Sequence, residues 1–160
     1  MVSFEEEGYT LEPCDDMDYF LSRMKETVLY SVDEYERSLA PLWLPEISLI
    51  IRNNLINESY GEKFILRHGI DYAGALWVGK TKYQFTCEDI GYILGIYVEE
   101  EYRGRGLSRK LIRSAEKWCR EKGLVHLSLN VSTINDRALE LYRKEGFEPQ
   151  SMVMRKLLRP

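Results

Sequence analysis

The chain has 160 residues, 44% of them hydrophobic and 30% charged, and this balance predicts one globular domain spanning residues 1–160 rather than a disordered chain. No apolar stretch approaches the roughly 20 residues that span a bilayer, and the acidic N-terminus lacks the basic and apolar regions of a signal peptide, so we expect a cytoplasmic protein without a membrane partner. The net charge of −4 includes +6 in residues 103–122 and −12 in residues 1–102, and this acidic surplus argues against a nucleic-acid partner.

The first part of the chain predicts a strand followed by two helices. Tyr9–Pro13 has the composition of a short strand, and Asp15 or Asp16 can cap a helix whose apolar residues recur with helical spacing. Pro45 can begin a second helix that runs to about Asn57, because proline is accepted in the first helical turn.

Three strands are predicted next, at Phe64–Arg67, Tyr72–Val78 and Gly91–Val98. The short polar links between them are typical of hairpins. We expect His68 to lie in a surface turn at one of these links, and Trp77 to lie in the core.

Two glycines separate the strand Gly91–Val98 from a helical pattern that begins near Leu107. A strand that turns through Gly104 and Gly106 into a helix leaves the first helical N–H groups without partners, and the helix dipole adds positive charge there. Such a turn predicts an anion site, with phosphate as the usual occupant. The alternative is an ordinary strand–turn–helix whose arginines, Arg103 among them, are solvated.

The last part of the chain predicts a strand, a helix and another strand. Val125–Val131 alternates with period two, as a strand does. Asn135 or Asp136 can cap a helix that ends at Gly146. Pro149–Leu158 is predicted to be a final strand, with an interruption allowed.

The cysteines and histidines do not predict a metal site. Cys14, Cys87 and Cys119 lack the spacing of metal ligands or of a redox pair, so we interpret them as buried thiols of a reduced protein. A catalytic cysteine remains the alternative. His126 opens a predicted strand and is interpreted as a strand residue.

Two segments resemble the signatures of one family, the GNAT superfamily of N-acetyltransferases. The sequence Arg103-Gly-Arg-Gly-Leu-Ser108 is similar to its acyl-CoA pyrophosphate loop, Arg/Gln-x-x-Gly-x-Gly/Ala, with Ser108 in place of the final small residue. The sequence Asn135 to Phe147 resembles the second signature, Asn-x-x-Ala-x-x-Leu-Tyr-x-x-x-Gly-Phe, at every fixed position. Together the resemblance covers about residues 91–147.

The resemblance implies an α/β fold of the α+β kind. Its expected order is β-α-α-β-β-β-α-β-α-β, with one further strand possible at the end. The central sheet is expected to be mixed and mostly antiparallel, with helices on both faces and with middle strands that splay apart around acyl-CoA.

Acetyl-CoA is the co-substrate that the resemblance implies, without a metal. The loop amides would hold the pyrophosphate, the strand backbone near Ile96 and Val98 would pair with the pantetheine arm, and Asn135 would contact that arm. The expected cofactor-binding residues are Ile96, Tyr97, Val98, Arg103, Gly104, Arg105, Gly106, Leu107, Ser108, Arg109, Asn130, Asn135 and Tyr142.

Two tyrosines are the catalytic candidates. Tyr142 matches the family tyrosine near the CoA sulfur, where a phenol can protonate the departing thiolate; packing in the helix is the alternative. Tyr92 stands where the family carries a glutamate or, in some N-terminal acetyltransferases, a tyrosine, and it could instead be a core residue. Glu88 and Asp89 are the fallback bases, whereas Glu99–Glu101 is expected to be a solvated turn.

The resemblance implies an enzyme that moves an acetyl group from acetyl-CoA to a primary amine of a small molecule or a peptide, as a monomer or a homodimer. A catalytically silent acyl-CoA-binding or regulatory domain is the alternative, because no carboxylate occupies the position of Tyr92. Ser38–Pro45 lacks the Phe-Pro-Val segment of N-terminal acetyltransferases, which weakens the prediction of a peptide acceptor.

Overall fold

A computed structural model describes residues 5–6, 8–57, 61–156 and 158 of the chain. A short 3-10 turn, Glu100–Tyr102, precedes the glycine loop. The strands and helices are β1 (Glu5–Glu6), β2 (Tyr9–Pro13), α1 (Met17–Leu29), α2 (Glu34–Ser38), α3 (Ala40–Ile56), β3 (Glu62–His68), β4 (Asp71–Lys82), β5 (Asp89–Val98), α4 (Leu107–Glu121), β6 (Leu127–Leu129) and α5 (Asp136–Lys144).

The strands form one sheet in chain order, from β1 to β6. Neighbouring strands from β1 to β5 are antiparallel. β5 and β6 are parallel, because α4 forms the crossover connection from one to the other. The parallel pairing runs from Gly91 opposite Leu127 to Ile93 opposite Leu129 and stops there, while β5 continues to Val98. The predicted mixed, mostly antiparallel sheet with splayed middle strands is therefore confirmed.

Apolar side chains fill both faces of the sheet. On one face α4 buries Leu107, Leu111 and Trp118, and the packing of Leu141 on α5 extends this layer. On the other face α1 and α3 cover the sheet, and Phe20 is completely buried there. This arrangement confirms the prediction of helices on both faces. The gap where β5 and β6 part is open to residues from the helices of both layers.

A β-bulge lies in the middle of β5. Val78 of β4 is opposite Ile93 and Trp77 is opposite Gly95, so Leu94 is the extra residue in β5. A bulge bends its strand and interrupts the ladder. It occurs one residue beyond the last pair with β6, where the two middle strands part.

Gly74 of β4 allows the backbone of β4 to approach that of β5 closely at Tyr97. A Cβ at Gly74 would lie 2.4 Å from the carbonyl oxygen of Tyr97, a backbone atom that cannot rotate away. We expect Gly74→Ala to lower the free energy of unfolding by about 1–3 kcal/mol, as overpacking in a core does. Urea denaturation of the variant and the parent measures this difference, and equal midpoints would contradict the close approach.

The helical part of the first half differs from the prediction. α3 begins at Ala40, so Pro45 lies inside the helix and does not begin it; Pro41, in the first turn, is the proline at the favoured position. α2 was not predicted, although Asp33 and Glu36 form a capping box that the sequence spacing contains. The prediction that Asp16 caps α1 is confirmed, since its carboxylate accepts from the N–H of Tyr19.

The predicted final strand is wrong for the described residues. From Pro149 to Lys156 the chain forms neither helix nor strand, and Val153 is almost fully exposed. An extended segment becomes a strand only when another strand takes its backbone hydrogen bonds, and none of the described residues does so. β6 is also shorter than predicted, because its pairing with β5 ends at Leu129.

The thiols and His68 differ in part from their predicted surroundings. Cys119 is buried, and burial raises the pKa of its thiol to about 11, but Cys14 is only half-buried and Cys87 is exposed in the β4–β5 turn. His68 is the last residue of β3 and packs on the ring of Tyr9, so it is not a free turn residue. Within the described ranges no cluster of three metal-ligating side chains occurs, and no helix is long and apolar enough to cross a membrane.

Candidate active site

A cleft of about 590 Å³ opens where β5 and β6 part. Its walls are the second half of β5, the C-terminal end of α1, residues 129–131 and the first turns of α5, and the glycine loop closes one end. It brings together all but one of the predicted cofactor-binding residues: Ile96, Tyr97, Val98, Arg103, Gly104, Gly106, Leu107, Ser108, Arg109, Asn130, Asn135 and Tyr142.

The glycine loop has the backbone that an anion site requires. Gly104 and Gly106 have φ values of +78° and +76°, in the region that favours glycine. Gly106 is the N-cap of α4 and supplies no side-chain acceptor, so the first N–H groups of the helix are open to a ligand. A Cβ at either glycine would meet no atom within 4 Å. Open space beside outward-facing amides fits a pyrophosphate.

The three arginines of the loop have different roles. Arg103 lines the cleft, and its Nε donates to the carbonyl of Val98 at 3.0 Å. Arg105 is the predicted residue that does not line the cleft, because its guanidinium is turned toward the hydroxyl of Tyr9. Arg109 lines the cleft and pairs with Glu145, the C-cap residue of α5.

Tyr142 lies on the cleft-facing side of α5. Burial raises the pKa of its phenol to about 12, so the group is protonated at neutral pH. Its ring packs edge-on against Phe147, with the centroids 5.7 Å apart. The side chain can therefore act as a hydrogen-bond or proton donor in the cleft.

Two asparagines flank the opposite wall from β5. The side-chain oxygen of Asn135 accepts from the N–H of Ala138 at 3.2 Å and caps α5, and Asn135 also lines the cleft. Capping uses the carbonyl of this amide, which leaves its NH₂ group as a donor. Asn130 follows β6 directly and lines the cleft where the strands part.

The candidate bases lie farther from the cleft lining. Tyr92 pairs in the sheet with Gly79 and Ser128, is half-buried, and has its pKa raised by burial, which disfavours the phenolate. Glu88 lies 2.9 Å from a ring nitrogen of His126. Asp89 is paired with Lys82, which lowers the pKa of its carboxyl. Neither these carboxylates nor Tyr92 belongs to the described lining of the cleft.

Two groups among the lining residues that were not predicted as site residues had a signal in the sequence. The end of α1 contributes Thr27, Val28, Tyr30 and Ser31, and the first turn of α5 contributes Arg137. Polar residues near the end of an otherwise amphipathic helix were the available signal for α1. For Arg137 the signal was its place inside the second signature, where no residue type is fixed.

Glu99 also differs from its prediction. It was expected in a solvated turn, but only 16% of its side chain is exposed and it accepts a hydrogen bond from Tyr19 at 2.8 Å. Glu100, with 88% of its side chain exposed, behaves as predicted. The contact that buries Glu99 comes from α1, eighty residues earlier in the chain, so nearby sequence could not indicate it.

The acetyltransferase (GNAT) family model matches residues 29–147, which include the glycine loop and α5. The chain belongs to this family. GNAT acetyltransferases transfer acyl groups from acetyl-CoA to amines, and acetyl-CoA is the co-substrate that membership implies. The glycine loop and the splayed strands described above fit that co-substrate.

Two relatives in sequence and one solved structure of similar fold extend this comparison. The uncharacterized N-acetyltransferase YycN of Bacillus subtilis is 27% identical over 140 residues, covering 81% of this chain and 88% of that protein. The N-alpha-acetyltransferase RimI of Mycobacterium tuberculosis is 38% identical over 80 residues, which are 49% of this chain and 45% of its own length. The GCN5-related N-acetyltransferase of Ralstonia eutropha superposes with a TM-score of 0.75 at 17% identity, over 94% of this chain and 99% of that one.

Proposed function

We propose that the protein transfers the acetyl group of acetyl-CoA to a primary amine by direct attack. The observation that carries the proposal is that one cleft contains both an open anion-binding loop, at Gly104–Ser108, and a protonated phenol, at Tyr142. A phosphate site and a proton donor at separate places along one cleft suit a substrate that has a phosphate end and a thioester end.

The donor would bind along β5. The pyrophosphate accepts from the amides of the glycine loop, and the pantetheine arm pairs with the backbone edge that β6 leaves open between Leu94 and Val98, as an added strand does. The NH₂ group of Asn135 is a donor to the same arm. A strand N–H near the bulge at Leu94 can hydrogen-bond the thioester carbonyl oxygen and stabilise its developing negative charge.

The reaction forms one bond and breaks one. The lone pair of the neutral amine attacks the thioester carbonyl carbon, and the C–N bond forms as the carbonyl π electrons move to oxygen. The electrons return, the C–S bond breaks, and the thiolate takes a proton from Tyr142. The positive nitrogen then loses a proton to solvent. The phenolate of Tyr142 takes up a proton from solvent and becomes a phenol again.

The amine must lose a proton before it attacks, and Tyr92 is the candidate in this chain. Because burial raises the pKa of Tyr92, a phenolate is disfavoured. Tyr92 lies outside the described lining, but its neighbour Ile93 lines the cleft. We therefore propose that the hydroxyl of Tyr92 acts through a water, which it orients by accepting a hydrogen bond and which carries the proton away from the cleft. Glu88 and Asp89 are paired with cationic or titratable partners and are less suited.

An amine panel tests the function against the alternative of a catalytically silent acyl-CoA-binding domain. Peptides, polyamines and small amines are each mixed with acetyl-CoA and the protein, and free thiol is measured over time. We expect thiol release that depends on the amine and on the protein. Acetyl-CoA binding without release for any amine would support the silent domain, which the absence of a carboxylate at the position of Tyr92 favours.

Two classes of amine acceptor, peptides and small molecules, are each supported by one observation. A relative named as an N-alpha-acetyltransferase supports a peptide N-terminus. Ser38–Pro45, which lies across the end of α2 and the start of α3, lacks the Phe-Pro-Val segment of N-terminal acetyltransferases and favours a small molecule. The amine panel separates the two.

We expect the acceptor to be cationic and to be attracted by acidic side chains that lie outside the cleft lining. The described lining of the cleft contains no Asp or Glu, so the −12 of residues 1–102 can act on the acceptor only through space. The kcat/KM of a cationic acceptor should therefore fall as salt rises, since the screening length is about 8 Å at physiological ionic strength, while kcat changes little. Initial rates in a salt series measure this. A salt-independent kcat/KM, or a preference for anionic acceptors, would contradict it.

A further inference from the structure

The ring of Tyr97 lies between α1 and the glycine loop and is contacted by two arginines. The guanidinium carbon of Arg23 is 5.4 Å from the ring centroid, and that of Arg103 is 5.7 Å from it. Both distances are within the range of a cation–π contact. Tyr97 is buried and lines the cleft, so a helix residue outside the cleft and a loop residue inside it meet on one ring.

Glu99 offsets the charge that two arginines bring to this place. Its Oε1 is 3.1 Å from Nε of Arg23 and accepts from the hydroxyl of Tyr19 at 2.8 Å. Two guanidiniums near one ring repel each other, and a partly buried carboxylate beside one of them reduces that cost. Glu99 follows β5 directly, so the pair also joins α1 to the strand that leads into the glycine loop.

Arg103 transmits this arrangement to the loop. Its Nε donates to the carbonyl of Val98 at 3.0 Å, and its Nη2 donates to the hydroxyl of Tyr30 at 3.3 Å. These contacts hold the first residue of the loop against the end of β5 and the end of α1. Gly106, the N-cap of α4, is only three residues farther along.

We infer that Arg23 and Glu99 are positioning residues for acetyl-CoA binding: they hold Tyr97 in place, Tyr97 holds Arg103, and Arg103 keeps the glycine loop in its binding conformation. The inference rests on the proposed function. A loop that is already ordered loses less freedom when ligand binds, so its positioning residues act on affinity. Arg23 and Glu99 are not catalytic residues, because both lie outside the described lining of the cleft.

Calorimetric titration of Arg23→Met with acetyl-CoA tests the inference. We expect Kd, and KM for acetyl-CoA, to rise about tenfold, the size of a cation–π contact together with a partly buried ion pair. The kcat at saturating acetyl-CoA should stay within about twofold of the parent. Glu99→Gln, which still accepts from Tyr19, should weaken affinity in the same direction and serves if Arg23→Met does not fold.

Arg67→Met is the matched control. Arg67 also lies on a tyrosine ring, 4.7 Å from that of Tyr72, and pairs with Asp15, but it contacts neither Tyr97 nor Arg103. We expect its affinity for acetyl-CoA to equal that of the parent. Thermal unfolding without ligand shows whether the variants lose similar stability, and an equal loss of affinity in the control would overturn the inference.

A double-mutant cycle separates positioning from general loss of structure. Arg103→Met should itself weaken binding, and adding Arg23→Met to it should weaken binding little further, because Arg23 acts through Arg103. Arg23→Lys, which keeps a cation near Tyr97, should recover part of the affinity. Additive effects, or unchanged affinity in Arg23→Met when the parent binds, would overturn the inference alone; a parent that does not bind acetyl-CoA would overturn the proposed function beneath it.

Discussion

Replacing Tyr142 by phenylalanine is expected to lower kcat by about 10²–10⁴-fold, the usual contribution of a general acid. The ring that packs against Phe147 remains, while the hydroxyl is lost. A tyrosine hydroxyl is protonated at neutral pH even with its ordinary pKa of ~10, and burial raises the pKa of Tyr142 further, to about 12. The hydroxyl acts when the thiolate leaves. Acetyl-CoA affinity should therefore change much less than kcat. Steady-state rates at saturating acetyl-CoA, with calorimetry for Kd, measure the two effects.

Tyr83→Phe is the control for the loss of a phenol hydroxyl. Tyr83 lies in the turn between β4 and β5, and its ring contacts that of Phe85. It does not belong to the described lining of the cleft. Its kcat should equal that of the parent. Equal kcat in Tyr142→Phe and the parent would mean that Tyr142 only packs, and that the thiolate is protonated by solvent.

Replacing Gly106 by glutamate is expected to abolish measurable acetyl-CoA binding. The new carboxylate would lie beside the amides that the pyrophosphate needs, and like charges repel. The φ of +76° also strains any residue other than glycine. Calorimetric titration of the folded variant measures the loss, and the circular dichroism spectrum reports whether the fold is kept.

Gly123→Glu separates the backbone effect from the charge effect. Gly123 has a φ of +70° and, like Gly106, open space where a Cβ would stand, but it follows α4 at the other end of that helix. Both variants should lose similar stability, and only Gly106→Glu should lose affinity. Unchanged affinity in a folded Gly106→Glu would remove the pyrophosphate site from this loop.

Local signals in the sequence account for the parts of the fold that could be predicted. The cap of α1 by Asp16 and the glycines before α4 involve only residues that are close in sequence. The spacing from Asn135 to Phe147 is equally local, so α5 and its cap follow from it. These elements also contribute much of the described cleft lining, which is why most of the predicted site residues lie together there.

The remaining differences depend on contacts between distant segments. Glu99 is buried by α1, and Arg105 turns from the cleft toward Tyr9, nearly a hundred residues earlier. Pro149–Lys156 has strand-like composition, but a strand exists only where a partner takes its hydrogen bonds. None of these outcomes can be obtained from residue spacing alone, because each depends on which distant segment packs against the residue in the folded chain.

The transfer itself is tested most directly by measuring both products in one reaction. The protein is mixed with acetyl-CoA and the best amine of the panel, free thiol is titrated, and the amine is weighed by mass spectrometry. We expect one free thiol for each amine that gains one acetyl group, with neither product formed when the amine is omitted. Thiol released at the same rate without an amine, or acetyl-CoA that binds without any amine-dependent release, would contradict acetyl transfer by this cleft.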